Sequence, residues 1–236
     1  MTAVFKREMK AYFTSPIAYI YIAAFYLYIG NYFVNYNMNY GSTDFTYLFS
    51  NAFVIMMILL PLLTMRLFTE EKKYRTDQCL LTAPVSLGGI VFGKFLAATC
   101  IFLCGMAIYV PFIIVMYALA GTLEWASIFG SLIALVLLGA SFVSIGVFVS
   151  SLTESQVVAA ILSFGIIFLL YMIDIFSSSV SNETVAKVMA ALGFYSRYNK
   201  FTTGIFDVGS ILFFLSMIFV FNFLTVRILE KRRWAD

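Results

Sequence analysis

Histidine is missing from all 236 residues, and charge is scarce: Asp, Glu, Lys and Arg together make 11% of the chain. The first absence removes the commonest proton shuttle and the commonest metal ligand. The second excludes a soluble protein. A soluble domain carries about 25% charged residues, and a chain with less than half of that cannot cover a globular surface with polar groups. Lipid must be the solvent for much of it. Cysteine is sparse as well. Cys79 lies in a polar stretch, and Cys100 and Cys104 sit one helical turn apart in an apolar run. They read as small packing residues, because no disulfide framework and no third soft-metal ligand stand beside them. No aromatic-basic patch offers a nucleic-acid surface. An intramembrane enzyme needs a nucleophile with a base, paired carboxylates or a metal cluster, and none is visible. A proton- or sodium-coupled carrier usually keeps ionisable groups inside its spans, and these spans read as free of them.

What the chain does have is apolar length. Hydrophobic residues make 62% of it, with a mean hydropathy of +0.96, gathered into six runs that each approach the ~20 residues a bilayer requires. The runs extend from Pro16 to about Tyr36, Tyr47 to Leu67, Gly93 to Ala118, Ile128 to Val149, Gln156 to Phe176, and Val208 to Leu229. The first is too long for the roughly 7–15 apolar residues of a cleavable signal, so it stays as a span. Before it, Phe5, Met9, Tyr12 and Phe13 share one helical face while Lys6, Arg7 and Lys10 lie away from it. Residues 1–14 therefore read as an amphipathic interfacial helix, with a disordered basic tail as the alternative.

Six spans put both termini on one side, together with the 2–3 and 4–5 loops. That side carries Lys6, Arg7, Lys10, Arg66, Lys72, Lys73, Arg75, Lys94, Arg227, Lys231, Arg232 and Arg233, and the other only Lys187, Arg197 and Lys200. Twelve against three makes the first side cytoplasmic. The expected fold is all-α and integral to the membrane. It is one permease-sized domain over 1–236, with the interfacial helix at 1–14, a cytoplasmic loop at 69–92 and an extracytoplasmic segment at 177–207. In that last segment Val185, Val188, Met189, Leu192 and Tyr195 recur at helical spacing, which fits a helix dipping into the outer leaflet and a surface helix equally well. No loop is large enough to fold alone, so any energy source lies in another chain or in the membrane gradient.

Three features invite a chemical reading. Gly88 to Phe95 has the G-x-x-x-x-G-K spacing of a phosphate-binding loop, but Phe95 replaces the magnesium-binding Ser or Thr, and no buried strand precedes it. Lys94 reads instead as a cytoplasmic anchor of span three. Tyr21, Phe25, Tyr28, Tyr32, Asn35 and Asn39 are spaced four, three, four, three, four, which puts them on one face of span one. Hydrogen-bonding side chains make lipid a poor neighbour. The stripe is a conduit wall or a seam between two copies; an outer aromatic belt is the alternative, covering Tyr32, Tyr36 and Tyr40 but not Tyr21 or Phe25. Asp174, near the outer end of span five, is expected to be solvated, and Pro61 and Pro111 to kink spans two and three.

The 2–3 loop is the most informative stretch. Charge comes first, Glu70-Glu71-Lys72-Lys73-Tyr74-Arg75, and then an apolar patch of Cys79, Leu80, Leu81, Ala83 and Val85. Pro84 ends any helix begun near Thr76. A short helix with exposed leucines meets a partner groove or lies on the inner leaflet, and periodicity does not separate the two.

Thr76, Leu80-Leu81-Thr82-Ala83-Pro84-Val85-Ser86 and Gly93-Lys94-Phe95 resemble the loop signature of bacterial ABC exporter permeases of the second exporter type (ABC-2-like). Phe201…Gly204-Ile205-Phe206-Asp207 and Arg232-Arg233-Trp234 are similar to its gliding-motility branch and to the permeases of nitrous-oxide-reductase maturation. The resemblance spans essentially the whole chain. It departs at Arg75, where the branch usually has Gly, and at Gln78, where it usually has Glu. It implies that the loop is a coupling helix docked on a separate ABC ATPase subunit, with Glu70, Glu71, Arg75, Thr76, Gln78, Leu80, Leu81, Thr82, Ala83 and Pro84 at the contact and the turn Ser151 to Ser155 as a minor second one. It further implies two ATPase copies, a second permease copy, and in some relatives a membrane-anchored auxiliary subunit. ATP and Mg would be bound by the ATPase and no cofactor by this chain, which would lie in the bacterial inner membrane among its lipids.

Overall fold

The computed structural model describes residues 1–76, 85–177 and 192–233. Among them every regular element is helical, and six helices are long and apolar enough to cross a membrane. They are Pro16–Met38, Thr46–Lys73, Leu87–Ala120, Trp125–Ser150, Gln156–Ser177 and Val208–Arg233, spans one to six. The protein is a multi-pass membrane protein.

Local chemistry sets the breaks. The N-terminal helix, Thr2–Thr14, stops where Ser15 is extended (φ −103°, ψ 155°), because the ring of Pro16 excludes the helical region for the residue before it. Pro16 then opens span one, where its missing N–H costs nothing. Span three divides into Leu87–Met106 and Tyr109–Ala120. The break falls at Ala107, four residues before Pro111, where the pyrrolidine ring would meet a helical carbonyl. In span two the ladder continues past Pro61 through the bond from Met65 N–H to Pro61 O, 2.9 Å, and only a turn at Met65 separates Thr46–Thr64 from Arg66–Lys73.

Spans two and four form the centre. The most apolar window of span four is 72% buried, that of span six 17%, so spans five and six offer most of their surface outward. Phe53 and Phe142 meet edge to face at the centre, 5.6 Å between centroids. On the side away from the termini, the helix Tyr195–Thr202 seals the bundle. Tyr198 donates to Phe49 O (2.8 Å), and Thr46 and Ser127 donate to Thr202 O (3.1 and 3.0 Å).

Asp174 differs from its expectation. It is buried rather than solvated, and its Oδ2 accepts the N–H of Ser196 at 2.6 Å. The carboxylate satisfies a free donor at the start of the sealing helix, which repays its burial. The Gly204–Asp207 motif finds its reason nearby. Gly204 turns the chain with φ +80°, a conformation glycine adopts without strain. Asp207 then caps span six, accepting from Gly209 N–H (2.9 Å) and the Ser210 hydroxyl (2.8 Å) and pairing with Lys200 (3.1 Å). The Ser210 and Lys200 hydrogen bonds hold its pKa down at about 2. Of the helical series in the 177–207 segment, Val185, Val188 and Met189 lie outside the described residues. Leu192 is exposed, and Phe194, Tyr198 and Phe201 make the buried contacts.

Candidate functional site

On the side of the termini, three elements meet around four charges. The N-terminal helix lies along the first half of span three, and the approach is closest at Gly93, where a built Cβ would stand 3.1 Å from Cβ of Val4. The absent side chain lets the backbones touch. One residue on, the side chain of Lys94 is 1% exposed, and its ammonium is enclosed. It lies 3.0 Å from Glu8 Oε1 and 3.0 Å from Glu71 Oε1, and donates to Leu67 O at 2.5 Å. The Phe68 ring closes it off at 5.0 Å. Arg7 bridges the same two carboxylates from the outside, 2.7 Å from Glu8 and in contact with Glu71. The four groups form a closed ring, Arg7–Glu8–Lys94–Glu71, of alternating sign and zero net charge. The pairing answers the cost of burying each ion. Lys94 is thus not an anchor reaching outward; it is the buried centre of an ion cluster.

Burial pushes the pKa of Glu8 up, but the Lys94 charge and the hydrogen bonds from Arg7 and Lys94 outweigh it and hold the carboxyl below its ordinary value of 4.5. A carboxylate depressed in the folded state stabilises the fold fully above its unfolded pKa, and that contribution is lost as pH falls through the folded value. The unfolding temperature of the purified protein is therefore expected to drop on acidification below about pH 4.5, and Glu8→Gln to flatten the drop. An unchanged profile in the variant would remove Glu8 from the account.

The end of span two is fastened on both flanks. Arg66 donates to Ser15 Oγ (2.6 Å) and Ala11 O (3.4 Å), pairs with Glu70 (3.5 Å) and covers the ring of Tyr12. The Tyr12 hydroxyl donates to Leu63 O at 2.9 Å. On the opposite flank Lys72 is buried and donates to Ser151 O in the 4–5 turn. The roots of both loops and the N-terminal helix are joined here. Between the helix and span two lies a cleft of about 360 Å³, lined in part by Arg7, Arg66, Glu70, Tyr74 and Thr76.

The helix Arg66–Lys73 ends in a paired C-terminal turn: Thr76 N–H reaches Glu71 O (2.9 Å) and Arg75 N–H reaches Lys72 O (3.1 Å). That turn requires a left-handed residue, and Arg75 takes it at φ +54°. Glycine is at ease there and a Cβ is not. Arg75→Gly is expected to raise stability by about 1 kcal/mol, read as a higher unfolding temperature. A lower one would show that the arginine side chain outweighs its backbone cost.

Of the residues assigned to coupling by resemblance, Glu70, Glu71, Arg75 and Thr76 come together at this end of span two. Gln78, Leu80, Leu81, Thr82, Ala83 and Pro84 lie outside the described residues. The span-one stripe divides. Its buried line runs Ala18, Tyr21, Phe25, Ile29, Phe33, Asn37, in steps of four after Tyr21, and the turn Phe33–Met38 is a wider π-helix. A stripe stepping by three and four drifts off this line. Tyr21 and Phe25 point into the bundle, with Phe25 6.5 Å from Tyr109. Tyr28 and Tyr32 are half-buried at 4.9 Å from each other, Tyr32 lies 5.8 Å from Tyr47, and Asn35 and Asn39 are exposed.

Sequence reasoning missed Glu8, Arg66 and Lys72 as fastenings. One signal was present: a lysine eight residues into an apolar helix needs an acid, and Glu8 is the only acid in the first 43 residues.

The geometry defines a class: an all-helical multi-pass membrane protein whose two loop roots and N-terminal helix are locked together on one face. A family described as ABC-2 family transporter protein matches residues 4–233, and the chain belongs to it, as a permease subunit of an ABC transporter. Membership implies an ATPase partner. Comparison with curated proteins finds no match.

Proposed function

We propose that this chain is the permease of an ATP-driven exporter in the bacterial cytoplasmic membrane, with both termini in the cytoplasm. Two copies form the translocation pathway above two copies of a separate ATPase, which binds the ATP and Mg. Within the family, the loop signature is similar to that of the gliding-motility permeases and their nitrous-oxide-reductase-maturation relatives. The observation that carries this reading is the convergence of the 2–3 root, the 4–5 turn and the N-terminal helix through Glu71, Lys94, Arg66 and Lys72, on the side favoured by the Lys and Arg count. The coupling segment 76–84 docks on the ATPase, and closure of the ATPase dimer shifts spans two and four through these links. Tyr28, Tyr32, Asn35 and Asn39 line the pathway or the seam between copies, and Tyr21 and Phe25 support that wall from inside.

Affinity purification in mild detergent is expected to bring a stoichiometric ATPase with the permease. In the reconstituted complex, replacing both Leu80 and Leu81 by Asp should cut ATP-driven transport on the order of tenfold or more, since truncating an anchor in a docking groove costs about 2 kcal/mol. The spans should stay folded and hydrolysis continue. Unchanged transport would remove the coupling role of the loop. A chain that purifies alone, under conditions that preserve known complexes, would favour a secondary transporter or a membrane scaffold.

A further inference from the structure

The ring around Lys94 has an arrangement that stability alone does not require. Glu71, its one member from span two, stands five residues before Thr76, where the coupling segment begins. Two members, Arg7 and Glu8, come from the N-terminal helix, and one from span three. The ring is unequal in strength. Lys94 lies beneath it, 1% exposed, where screening is slight. Arg7 lies above it, 51% exposed, where a salt bridge is weak and screened. Glu71 Oε2 is buried and has no hydrogen-bond partner, so the carboxylate has an unused acceptor to offer if it turns under load. The far end of the N-terminal helix is fastened separately, by Arg66 on Ser15 and Ala11 and by Tyr12 on Leu63.

We propose that Arg7 and Glu8 are positioning residues for coupling: through the ring, the N-terminal helix, the end of span two and the start of span three move as one body when the ATPase drives the 2–3 loop. This rests on the coupling reading above. Without Arg7, the outer bond between helix and loop root is lost while both Lys94 pairs remain. The helix stays folded on span three and held to the loop root at Lys94, but without the outer brace that hold pivots under load and the helix follows the loop incompletely. Because the Arg7 bond is exposed, the rigidity of the body also falls with salt, and that dependence disappears with Arg7.

The test uses the permease with its ATPase in nanodiscs, with Cys79, Cys100 and Cys104 replaced by Ser and labelled copies diluted with unlabelled ones. Spin labels at Lys10→Cys and Tyr74→Cys, both exposed, report helix against loop root. Labels at Tyr74→Cys and Tyr40→Cys report loop root against the far side. Nucleotide-free and ATP–vanadate-trapped states are compared by electron–electron double resonance. The expected result is a Tyr74–Tyr40 distance that shifts on trapping and a Lys10–Tyr74 distance that does not. In Arg7→Gln the second distance should shift too, and Arg7→Lys should restore it. A Lys10–Tyr74 shift in the unmodified ring, or a fixed distance in Arg7→Gln, overturns the one-body proposal and leaves coupling intact. A Tyr74–Tyr40 distance indifferent to trapping overturns the coupling reading and this proposal with it.

Discussion

Replacing Lys94 by Met should lower the unfolding free energy by about 3 kcal/mol. Methionine fits the space, so no cavity explains the loss. What is lost is the counter-charge between two carboxylates. Glu8 and Glu71 each lie 3.0 Å from the ammonium and are only 12% and 15% exposed. With Arg7 alone to hold them, two like charges face each other in a place that water reaches poorly. Breaking a buried pair from one side leaves the other side uncompensated, and that penalty exceeds what the pair itself contributes. Adding Glu8→Gln to Lys94→Met is expected to recover part of the loss, because it removes one of the stranded charges. Thermal unfolding of the purified protein measures both variants. A double variant no more stable than the single would mean that packing around Phe68, and not charge, makes Lys94 necessary.

The second large effect lies where spans three and four cross. A Cβ added to Gly139 would overlap the ring of Phe102, and Phe102 is fully buried. With no hydrophobic drive between helices in lipid, close backbone packing is what holds such a crossing. Gly139→Ala is therefore expected to cost about 1–3 kcal/mol through overpacking. Phe102→Leu alone costs a comparable amount through the space it empties. Together the two should cost less than their sum, since the smaller side chain makes room for the methyl. Additive losses in that cycle would show that the helices part instead of repacking, and would place the strain elsewhere on span four.

How much of this was legible in the sequence depended on the range of the interaction. The six spans, the N-terminal helix and the breaks around Pro16 and Pro111 follow from neighbours a few residues apart: apolar length, helical period, and the ring of proline acting on the residue before it or four before it. Along span one, the buried positions after Phe25 step by four into a π turn that no local pattern announces, and Tyr28, Tyr32, Asn35 and Asn39 stand beside that line.

By itself, then, the sequence determined that this protein lives in a membrane, where its helices run and which residues carry charge. Tertiary structure alone decided which charges are partners. Glu8 and Lys94 are 86 residues apart, Arg7 and Glu71 64, and Asp174 meets a helix start 22 residues on. Hydropathy is a sum over neighbours along the chain, and it treats a lysine in an apolar run as an end marker. Whether that lysine reaches out to water or stays inside depends on whether packing brings it an acid, and packing of the N-terminal helix across Gly93 is what brings Glu8.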